Sequence, residues 1–380
     1  MGSLLSNLLH SRSEALGLEV GAANLKLVEL SGRSPQLRTY AIRPTPPGLL
    51  HEGLIADPNA LAAEIRELVK EARTKKRAVV TALANEVTIT RIIRVPRMER
   101  KELEEAIRWE AERYIPFPIE EVVLDFDLLD DPSELEEGEE MEVVIAAAKE
   151  ETVVQLAEAL FAADLDPVVV DLKPFAGLRT LAPRLSPPDG ETPPVTVYLE
   201  VGAESSSLVF LRGERPLLVR TLRVAGRDFT QAIARAFGLE PEQAEELKRE
   251  YALATLSTED EEALIELESP KDRPSPAEIY DAIRTILIDF TTEVRRSLDF
   301  FKTQFEEDNL DQAFIAGGGS KLKGLKGLLS DALGINFMEI DPWETIKIDT
   351  NRFDEGLLQE LGPEFVVPVG LAIRGVNRVG

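Results

Sequence analysis

An internal repeat constrains this chain more than any other feature of its sequence. Segments 16–32 and 197–213 align without gaps and share nine of seventeen residues, including five consecutive residues that begin at Leu18 and at Leu199. Each copy has alternating apolar residues, a turn of small residues and a second apolar run, which is typical of a β-hairpin. Two matched hairpins about half a chain apart predict a duplicated fold with one copy in each of two lobes.

The composition excludes several classes of function. The 380 residues carry 69 acidic and 43 basic side chains, a net charge of −26, so the surface repels nucleic acid and anionic lipid. There is no cysteine, and the histidines are His10 and His51, which excludes Cys- or His-rich metal sites and any triad that needs histidine. The sequence has no run of 18 apolar residues and no secretory signal pattern. We therefore expect a cytoplasmic protein without a membrane span.

The first half of the chain predicts an α/β lobe over residues 14–195. Its predicted elements are helices at 57–75, 101–114 and 151–163 and strands at 78–82, 87–95, 122–128 and 142–148. We expect the part from about 96 to 167 to form a small α/β insertion subdomain. The Pro-rich stretch 186–194 predicts the linker between the lobes.

The second half predicts a second lobe over residues 196–380, with a helical subdomain at about 238–308. Its predicted elements are helices at 227–237, 241–251 and 277–306 and a strand at 312–315 that leads into a glycine cluster. At the other end of the chain, residues 1–9 place four leucines on one helical face. A helix this short is marginal, although it has the pattern of a contact with a membrane or a partner.

Three glycine-bearing turns, at 19–26, 200–207 and 316–320, predict a nucleotide site. Tight turns of small residues expose backbone N–H groups to an anion such as phosphate, and Lys26 adds a positive charge. The carboxylates of Glu19 and Glu200 follow equivalent strands and have the chemistry to hold Mg²⁺ through waters. A glycine run at 317–319 leaves a bare backbone for a flat base.

Each of these features alone has a simpler explanation. A glycine triplet after a strand is usually a turn into a helix, a lone lysine is usually solvated, and an acid in a hairpin usually faces outward. The combination, in this order and spacing, favours nucleotide binding.

The three turns and their order resemble the actin-like ATPase superfamily. More closely, the chain is similar to the PilM family of type IV pilus biogenesis proteins. The resemblance covers nearly the whole length and rests on the stretches LGLEVGAANLKLVEL (16–30), EAIRWEAERYIPFPIEEVVLDF (105–126), VDLKPFAGLR (170–179), LEVGAESSSLVFLRG (199–213), IAGGGSKLKGL (315–325) and GPEFVVPVGLAIRG (362–375). It implies a two-lobed actin-like (ribonuclease H-like) α/β fold with a duplicated core.

The resemblance implies which residues contact ATP and Mg²⁺. The phosphate contacts from the first lobe would be Gly21, Ala22, Asn24 and Lys26. Those from the second lobe would be Gly202, Glu204, Ser205, Ser206 and Gly226. The ribose and base would be held by Glu245, Lys248, Gly317, Gly318, Gly319 and Ser320, while Glu19 and Glu200 would hold Mg²⁺ through water. An exposed ion pair remains an equal explanation for Glu245 and Lys248.

Two departures from the superfamily pattern bear on hydrolysis. Both phosphate-loop acids are Glu where Asp is usual, and Lys173 stands where a Glu or Gln commonly orients the attacking water. A cationic lysine cannot act as a base toward that water. We therefore expect slow or absent hydrolysis.

The resemblance also implies partners. The insertion and adjoining lobe would receive the cytoplasmic N-terminal peptide of the membrane protein PilN, beside other proteins of the inner-membrane pilus platform. The protein would lie at the inner face of that membrane, touching it only through partners, as a possible homo-oligomer that serves twitching motility and natural transformation. Candidate anchors are Trp109, Tyr114 and Phe117, with packing of these aromatics on their own sheet as the alternative.

Two other functions remain open at this point. A small-molecule kinase of the same superfamily would need a carboxylate base over a substrate pocket, and the sequence has no acid in such a context. A scaffold whose cleft no longer binds nucleotide is compatible with the two Asp-to-Glu changes.

Overall fold

A computed structural model describes residues 14–186, 192–255, 273–307 and 309–377. The predictions for the N-terminal leucines at 1–9 and for most of the Pro-rich linker lie outside the described residues.

The first half contains ten strands and five α-helices within its described residues. The strands are β1 (Leu16–Val20), β2 (Asn24–Ser31), β3 (Gln36–Pro44), β4 (Leu50–His51), β5 (Leu54–Ile55), β6 (Ala78–Leu83), β7 (Thr88–Pro96), β8 (Val122–Leu128), β9 (Glu140–Lys149) and β10 (Asp166–Leu172). The helices are α1 (Pro58–Ala72), α2 (Arg100–Ala111), α3 (Glu150–Ala162), α4 (Lys173–Leu178) and α5 (Ala182–Leu185).

The second half repeats the strand–helix plan. Its described strands are β11 (Val195–Val201), β12 (Ser206–Arg212), β13 (Arg215–Leu222), β14 (Gln312–Ala316) and β15 (Phe337–Glu339). Its described helices are α6 (Gly226–Phe237), α7 (Pro241–Tyr251), α8 (Pro276–Phe305), α9 (Leu325–Leu333) and α10 (Glu355–Asn377). The predicted elements agree with these bounds to within a few residues.

Two five-stranded sheets of the same topology form the centres of the two lobes. Their strand orders are β10-β6-β1-β2-β3 and β13-β12-β11-β14-β15. In each sheet the first three strands along the chain are antiparallel. Two later strands lie parallel to the first strand, on its other side. The prediction of duplicated hairpins is therefore confirmed.

Local signals explain where the long helices begin and end. The Asp57 carboxylate accepts hydrogen bonds from the first free amides of α1, and Arg73 closes that helix in the left-handed conformation. Ser275 and Glu278 form a capping box at the start of α8, and Glu306 ends it at φ 53°.

A third, smaller sheet has the order β7-β9-β8 and packs with α2 around its own apolar core. Helix α3 lies elsewhere: Val153, Leu156 and Leu160 pack with the core of the first lobe, against α1. The packing thus differs from the expected insertion of 96–167, because β7 belongs to the small sheet and α3 does not. We propose bounds of about 88–149 for this insertion.

Two helices cross between the lobes. The sequence assigns residues 196–380 to the second lobe, yet helix α10, formed by residues 355–377, packs on β1, β2 and β6 of the first. Its Gly370 lies so close to α4 that a Cβ there would be 1.8 Å from the carbonyl oxygen of Ala176. The second helix is α4: its last residue, Leu178, and the following Leu181 pack against residues of the second sheet. Each half of the chain therefore contributes residues that pack in the lobe formed mainly by the other half.

Helix α10 is long and apolar enough to cross a bilayer by length and composition, but 61% of its apolar window is buried inside the protein. Its apolar residues face β1, β2 and α4. This burial is that of a core helix.

Candidate functional site

The two hairpin turns have the same backbone geometry. The amide of Gly21 donates to the carbonyl of Asn24 at 3.2 Å, and the amide of Gly202 donates to the carbonyl of Ser205 at 3.0 Å. A Cβ at either glycine would lie 2.6 Å and 2.5 Å, respectively, from the same carbonyl oxygens. Each turn therefore requires glycine for a steric reason, whatever it binds.

Glu19 lies at the end of β1 between two lysines. Its Oε2 is 2.9 Å from Nζ of Lys26, and its Oε1 is 3.4 Å from Nζ of Lys173. Burial alone would raise the pKa of Glu19, but the two lysines outweigh it and the pKa lies below its usual value. Burial likewise opposes the charge of Lys173, whose pKa is nevertheless raised by Glu19, Glu86 and Glu200.

Glu200, the equivalent residue of the second copy, has a different environment. The cross-strand neighbour of Glu19 is Lys26, whereas that of Glu200 is Ser207, whose hydroxyl donates to the carboxylate at 3.4 Å. Burial, with a contribution from the nearby charge of Glu19, raises the pKa of Glu200 to about 7. Glu19 is thus near enough to influence Glu200, and the two equivalent acids differ: the pKa of Glu19 is lowered, whereas that of Glu200 is raised to about 7.

The charges of this cluster favour an anion. Two buried ammonium groups, Lys26 and Lys173, lie against one ionised carboxylate and one that titrates near neutrality. A phosphate group would supply the missing negative charge and accept hydrogen bonds from both lysines.

Helix α6 begins directly on the second turn. The amides of Gly226 and Arg227 donate to the carbonyls of Gly202 and Ala203 at 2.9 Å and 2.8 Å. A Cβ at Gly226 would be 3.1 Å from the Gly202 oxygen, so the close approach favours glycine.

Glu245 and Lys248 are not an exposed pair. The ammonium group of Lys248 is 2.6 Å from Glu245 and donates to the Gly226 carbonyl at 3.0 Å and to the Thr230 hydroxyl at 2.8 Å. Burial lowers the pKa of Lys248; burial would raise that of Glu245, but Lys248 outweighs it and the pKa is lowered. The pair therefore fixes α7 to the start of α6, beside the phosphate turn.

The glycine triplet has two roles. A Cβ at Gly317 would lie 2.3 Å from the Val201 carbonyl oxygen, and one at Gly319 would lie 2.5 Å from the Val201 side chain. A Cβ at Gly318 would meet only the Glu364 side chain, at ordinary contact distance. Ser320 donates its hydroxyl to the Gly317 carbonyl at 2.7 Å. Packing thus explains two glycines, and Gly318 alone presents open backbone.

The remaining predicted phosphate contacts have mixed environments. Ser205 and Ser206 are buried, and the Ser206 hydroxyl donates to the Val224 carbonyl at 2.8 Å. Asn24 is half-buried in the first turn. Glu204 forms an ion pair with Arg227. Sequence reasoning missed Arg227; its position next to Gly226 was the available signal.

Contacts also join the lobes around the cleft. Arg227 reaches toward the Ala22 carbonyl, 3.5 Å away, and His51 of the first lobe lies 3.9 Å from Glu204. Arg215 of β13 contacts Asp130 at 2.6 Å and Glu142 at 2.8 Å, both in the insertion.

The three candidate anchors on the insertion differ in exposure. Trp109 is 75% exposed and Tyr114 43%, so packing on their own sheet does not account for these two side chains. Phe117 is partly buried against the insertion core, with Nζ of Lys149 4.6 Å above its ring.

Within the described ranges, no group of three or more carboxylate, imidazole or thiolate side chains converges on one point. Glu19 and Glu200 thus fit a Mg²⁺ ion held by water and an anionic ligand better than one held directly by protein. Glu200 fits it best, because Glu19 is already balanced by two lysines.

A protein-family model described as type IV pilus assembly protein PilM matches residues 17–263 and 281–376. The solved structure of a PilM–PilN type IV pilus biogenesis complex is 53% identical, with 96% of this chain and 99% of that chain covered and a TM-score of 0.86.

More distant structures share the fold alone. The ethanolamine utilization protein EutJ from Carboxydothermus hydrogenoformans is 13% identical over 97% of this chain and 95% of that chain, with a TM-score of 0.54. MreB5 of Spiroplasma citri bound to AMPPNP is 12% identical over 95% of each chain, with a TM-score of 0.50. The predicted two-lobed actin-like fold is confirmed.

Proposed function

Because the chain belongs to the family of type IV pilus assembly proteins PilM, we propose that it binds ATP between its lobes and holds the cytoplasmic N-terminal segment of PilN. The similar solved structure, itself a PilM–PilN complex, supports the choice of partner. The protein would then act at the cytoplasmic face of the inner membrane, next to other platform proteins. The observation that carries the nucleotide assignment is the buried cluster of Lys26, Lys173, Glu19 and Glu200 between two matched glycine turns.

The phosphates would lie between the turns that begin at Gly21 and Gly202, where Lys26 and Lys173 supply charge. Such a ligand would compete with Glu19 for both lysines, and it would bring a hydrated Mg²⁺ toward Glu200. When bound, that ion would neutralise phosphate charge. The protein's own groups bind and orient the ligand: Lys248 and Glu245 beside the ribose, and Gly318 and Ser320 beside the base.

The same cluster explains why hydrolysis should be slow. Lys173 is largely buried, and the raised pKa of its ammonium group keeps it protonated at neutral pH. A protonated lysine stabilises phosphate charge but cannot accept a proton from water. We propose that bound ATP works as a structural ligand whose presence, rather than turnover, sets the affinity for the partner.

Calorimetry of a synthetic PilN N-terminal peptide with the full chain, with and without ATP and Mg²⁺, tests this function. We expect micromolar or tighter binding and an affinity that changes with nucleotide. Coupling is reciprocal, so the peptide must change ATP affinity by the same factor. No detectable peptide binding in either condition would refute the assignment.

Mass spectrometry of ligand released from freshly purified protein separates the alternatives. Bound ATP or ADP supports the proposal. A phosphorylated small molecule would indicate a kinase. Absence of any nucleotide, together with no binding of added ATP, would indicate a scaffold.

A further inference from the structure

Arg227 spans the gap between the two phosphate turns. It is the second residue of α6, and its guanidinium pairs through Nη1 with Glu204 of the second turn. Its Nη2 lies 3.5 Å from the carbonyl oxygen of Ala22 in the first turn. The side chain is 38% exposed, so the guanidinium is accessible from solvent as well as paired with Glu204.

Glu204 holds this guanidinium from a buried position. Its side chain is only 7% exposed, and Oε1 pairs with Arg227. The other oxygen, Oε2, is buried and has no hydrogen-bond partner within the described part of the chain. A buried carboxylate without charge compensation is strongly unfavourable, so Glu204 requires Arg227 to stay close. The predicted phosphate contact at Glu204 is therefore better assigned to its basic partner.

The start of α6 does not provide the anion site itself. The amides of Gly226, Arg227 and Asp228 already donate to the carbonyls of Gly202, Ala203 and Ala225, and the Ala225 amide donates to the Asp228 side chain. What remains for an anion at this end of α6 is the guanidinium. The field of the helix N-terminus adds to its positive potential.

The guanidinium also has donors to spare. It carries five N–H groups, and the contact with Ala22 is long for a hydrogen bond, so a phosphate oxygen would replace it with a shorter, charge-assisted one. A ligand long enough to reach Arg227 would contact this guanidinium while the arginine stays paired with Glu204, whereas a shorter ligand would not reach it.

We propose that Arg227 binds the terminal phosphate of a nucleoside triphosphate, that Glu204 orients it, and that this pair makes the cleft prefer triphosphate to diphosphate. The inference rests on the proposed nucleotide function and adds its specificity. Arg227 would be the group by which the second lobe distinguishes the two nucleotides while remaining in contact with the first.

The test compares ATP and ADP affinities, measured by calorimetry with Mg²⁺ on the full chain. Arg227→Ala should lower the affinity for ATP by about tenfold or more, which is the effect of losing one charge-assisted hydrogen bond. It should lower the affinity for ADP by less than about threefold. Arg227→Lys should keep more of the preference for ATP over ADP than Arg227→Ala does, because the ammonium group of lysine replaces the guanidinium only in part. Glu204→Gln should reduce the preference without abolishing binding.

Arg235→Ala is the matched control. It lies in the last turn of the same helix, is exposed, and bonds only to the Gln231 carbonyl among its described contacts. Its ratio of ATP to ADP affinity should equal that of the wild type. Thermal unfolding without nucleotide identifies any variant that is misfolded; the lysine and glutamine variants then carry the test.

Equal losses of ATP and ADP in Arg227→Ala, or an unchanged ratio in all three variants, would overturn the inference while leaving the proposed function intact. A wild-type protein that binds neither nucleotide would overturn both.

Discussion

At the scale of single residues, one difference between the two copies of the repeat determines the electrostatics of the cleft. Lys26 in the first copy aligns with Ser207 in the second, and each is the cross-strand neighbour of the equivalent glutamate. Glu19 is therefore balanced, and Glu200 is buried with a hydroxyl as partner. The two copies of the repeat therefore differ in charge: Glu19 in the first copy is ionised, whereas Glu200 in the second titrates near neutrality.

This asymmetry has opposite consequences for stability. The pKa of Glu200 in the folded protein, about 7, lies above the ordinary glutamate value of 4.5, so its ionisation opposes folding as pH rises from about 4.5 to 7. Glu200→Gln should stabilise the Mg²⁺-free protein by about 1 to 3 kcal/mol at pH 8 and by little at pH 4.5. Denaturant unfolding at both pH values measures this. Equal effects at the two pH values would contradict it.

Glu19→Gln should do the reverse. It removes the carboxylate that balances two buried ammonium groups, and the expected loss is about 3 kcal/mol at pH 7. The same unfolding experiment serves. A neutral or stabilising effect would show that the lysines have other compensation.

Lys173 carries the prediction for hydrolysis. We expect single-turnover decay of bound ATP to be far slower than about 1 per second, the lower end for kinases. Quenched assays of the wild type with Mg²⁺ measure this rate. A rate at or above that range would mean that another group orients the attacking water.

Residue types alone predicted where the two hairpin turns lie and that Glu19, Lys26 and Glu200 stand in the strands beside them, because a tight turn and a strand end follow from local sequence. The role of Arg227 did not follow, since it depends on α6 packing its first turn onto the loop that begins at Gly202. Nor did sequence reveal that contact with Val201 is by itself enough to require glycine at 317 and 319.

At the scale of elements, sequence patterns predicted the two hairpins and helices α1, α2, α3, α6, α7 and α8, but missed strands such as β3, β10 and β13 and the long helix α10, and did not show which lobe each element would join. Helix α10 is apolar on most of its surface, and this predicts burial without indicating against what. Two glycines show where it packs: Gly370 of α10 marks a close crossing with α4, and Gly17 of β1 marks a close crossing with α10. For the same reason, the apolar face of α3 did not show that this helix packs in the core of the first lobe rather than in the insertion.

The crossing can be tested by adding one methyl group. Gly370→Ala places a Cβ within 1.8 Å of the Ala176 carbonyl oxygen, and the overlap must separate α10 from α4. We expect a loss of more than about 3 kcal/mol in the free energy of unfolding. The control is Gly327→Ala in α9, where a Cβ meets nothing within 4 Å and helix propensity should add about 0.5 to 1 kcal/mol. Similar stabilities of the two variants would contradict this packing.

At the scale of the whole molecule, the insertion is attached to both lobes. It is continuous with the first lobe through the chain, and Arg215 of β13 joins it to the second. A change in the angle between the lobes must therefore strain or move the insertion, which carries the exposed Trp109 and Tyr114. Ligand binding between the lobes can therefore change the position of the surface that carries Trp109 and Tyr114.

Arg215→Ala should weaken the coupling between sites. Without the contacts to Asp130 and Glu142, the factor by which ATP and Mg²⁺ change PilN-peptide affinity should fall toward one, while each ligand alone still binds. Arg212→Ala, which removes an arginine paired with Glu307 inside the second lobe, is the control and should keep the wild-type factor. Retention of full coupling in Arg215→Ala would place the route elsewhere.

The account as a whole depends on a single nucleotide lying between the two hairpin turns. A crystal structure of the full chain with Mg²⁺ and a non-hydrolysable ATP analogue tests this most directly. We expect the phosphates between the turns at 21–24 and 202–205, within hydrogen-bonding distance of Lys26 and Lys173, and the base beside Gly318. An analogue bound outside this cleft, or a cleft that remains empty at saturating analogue, would contradict the account.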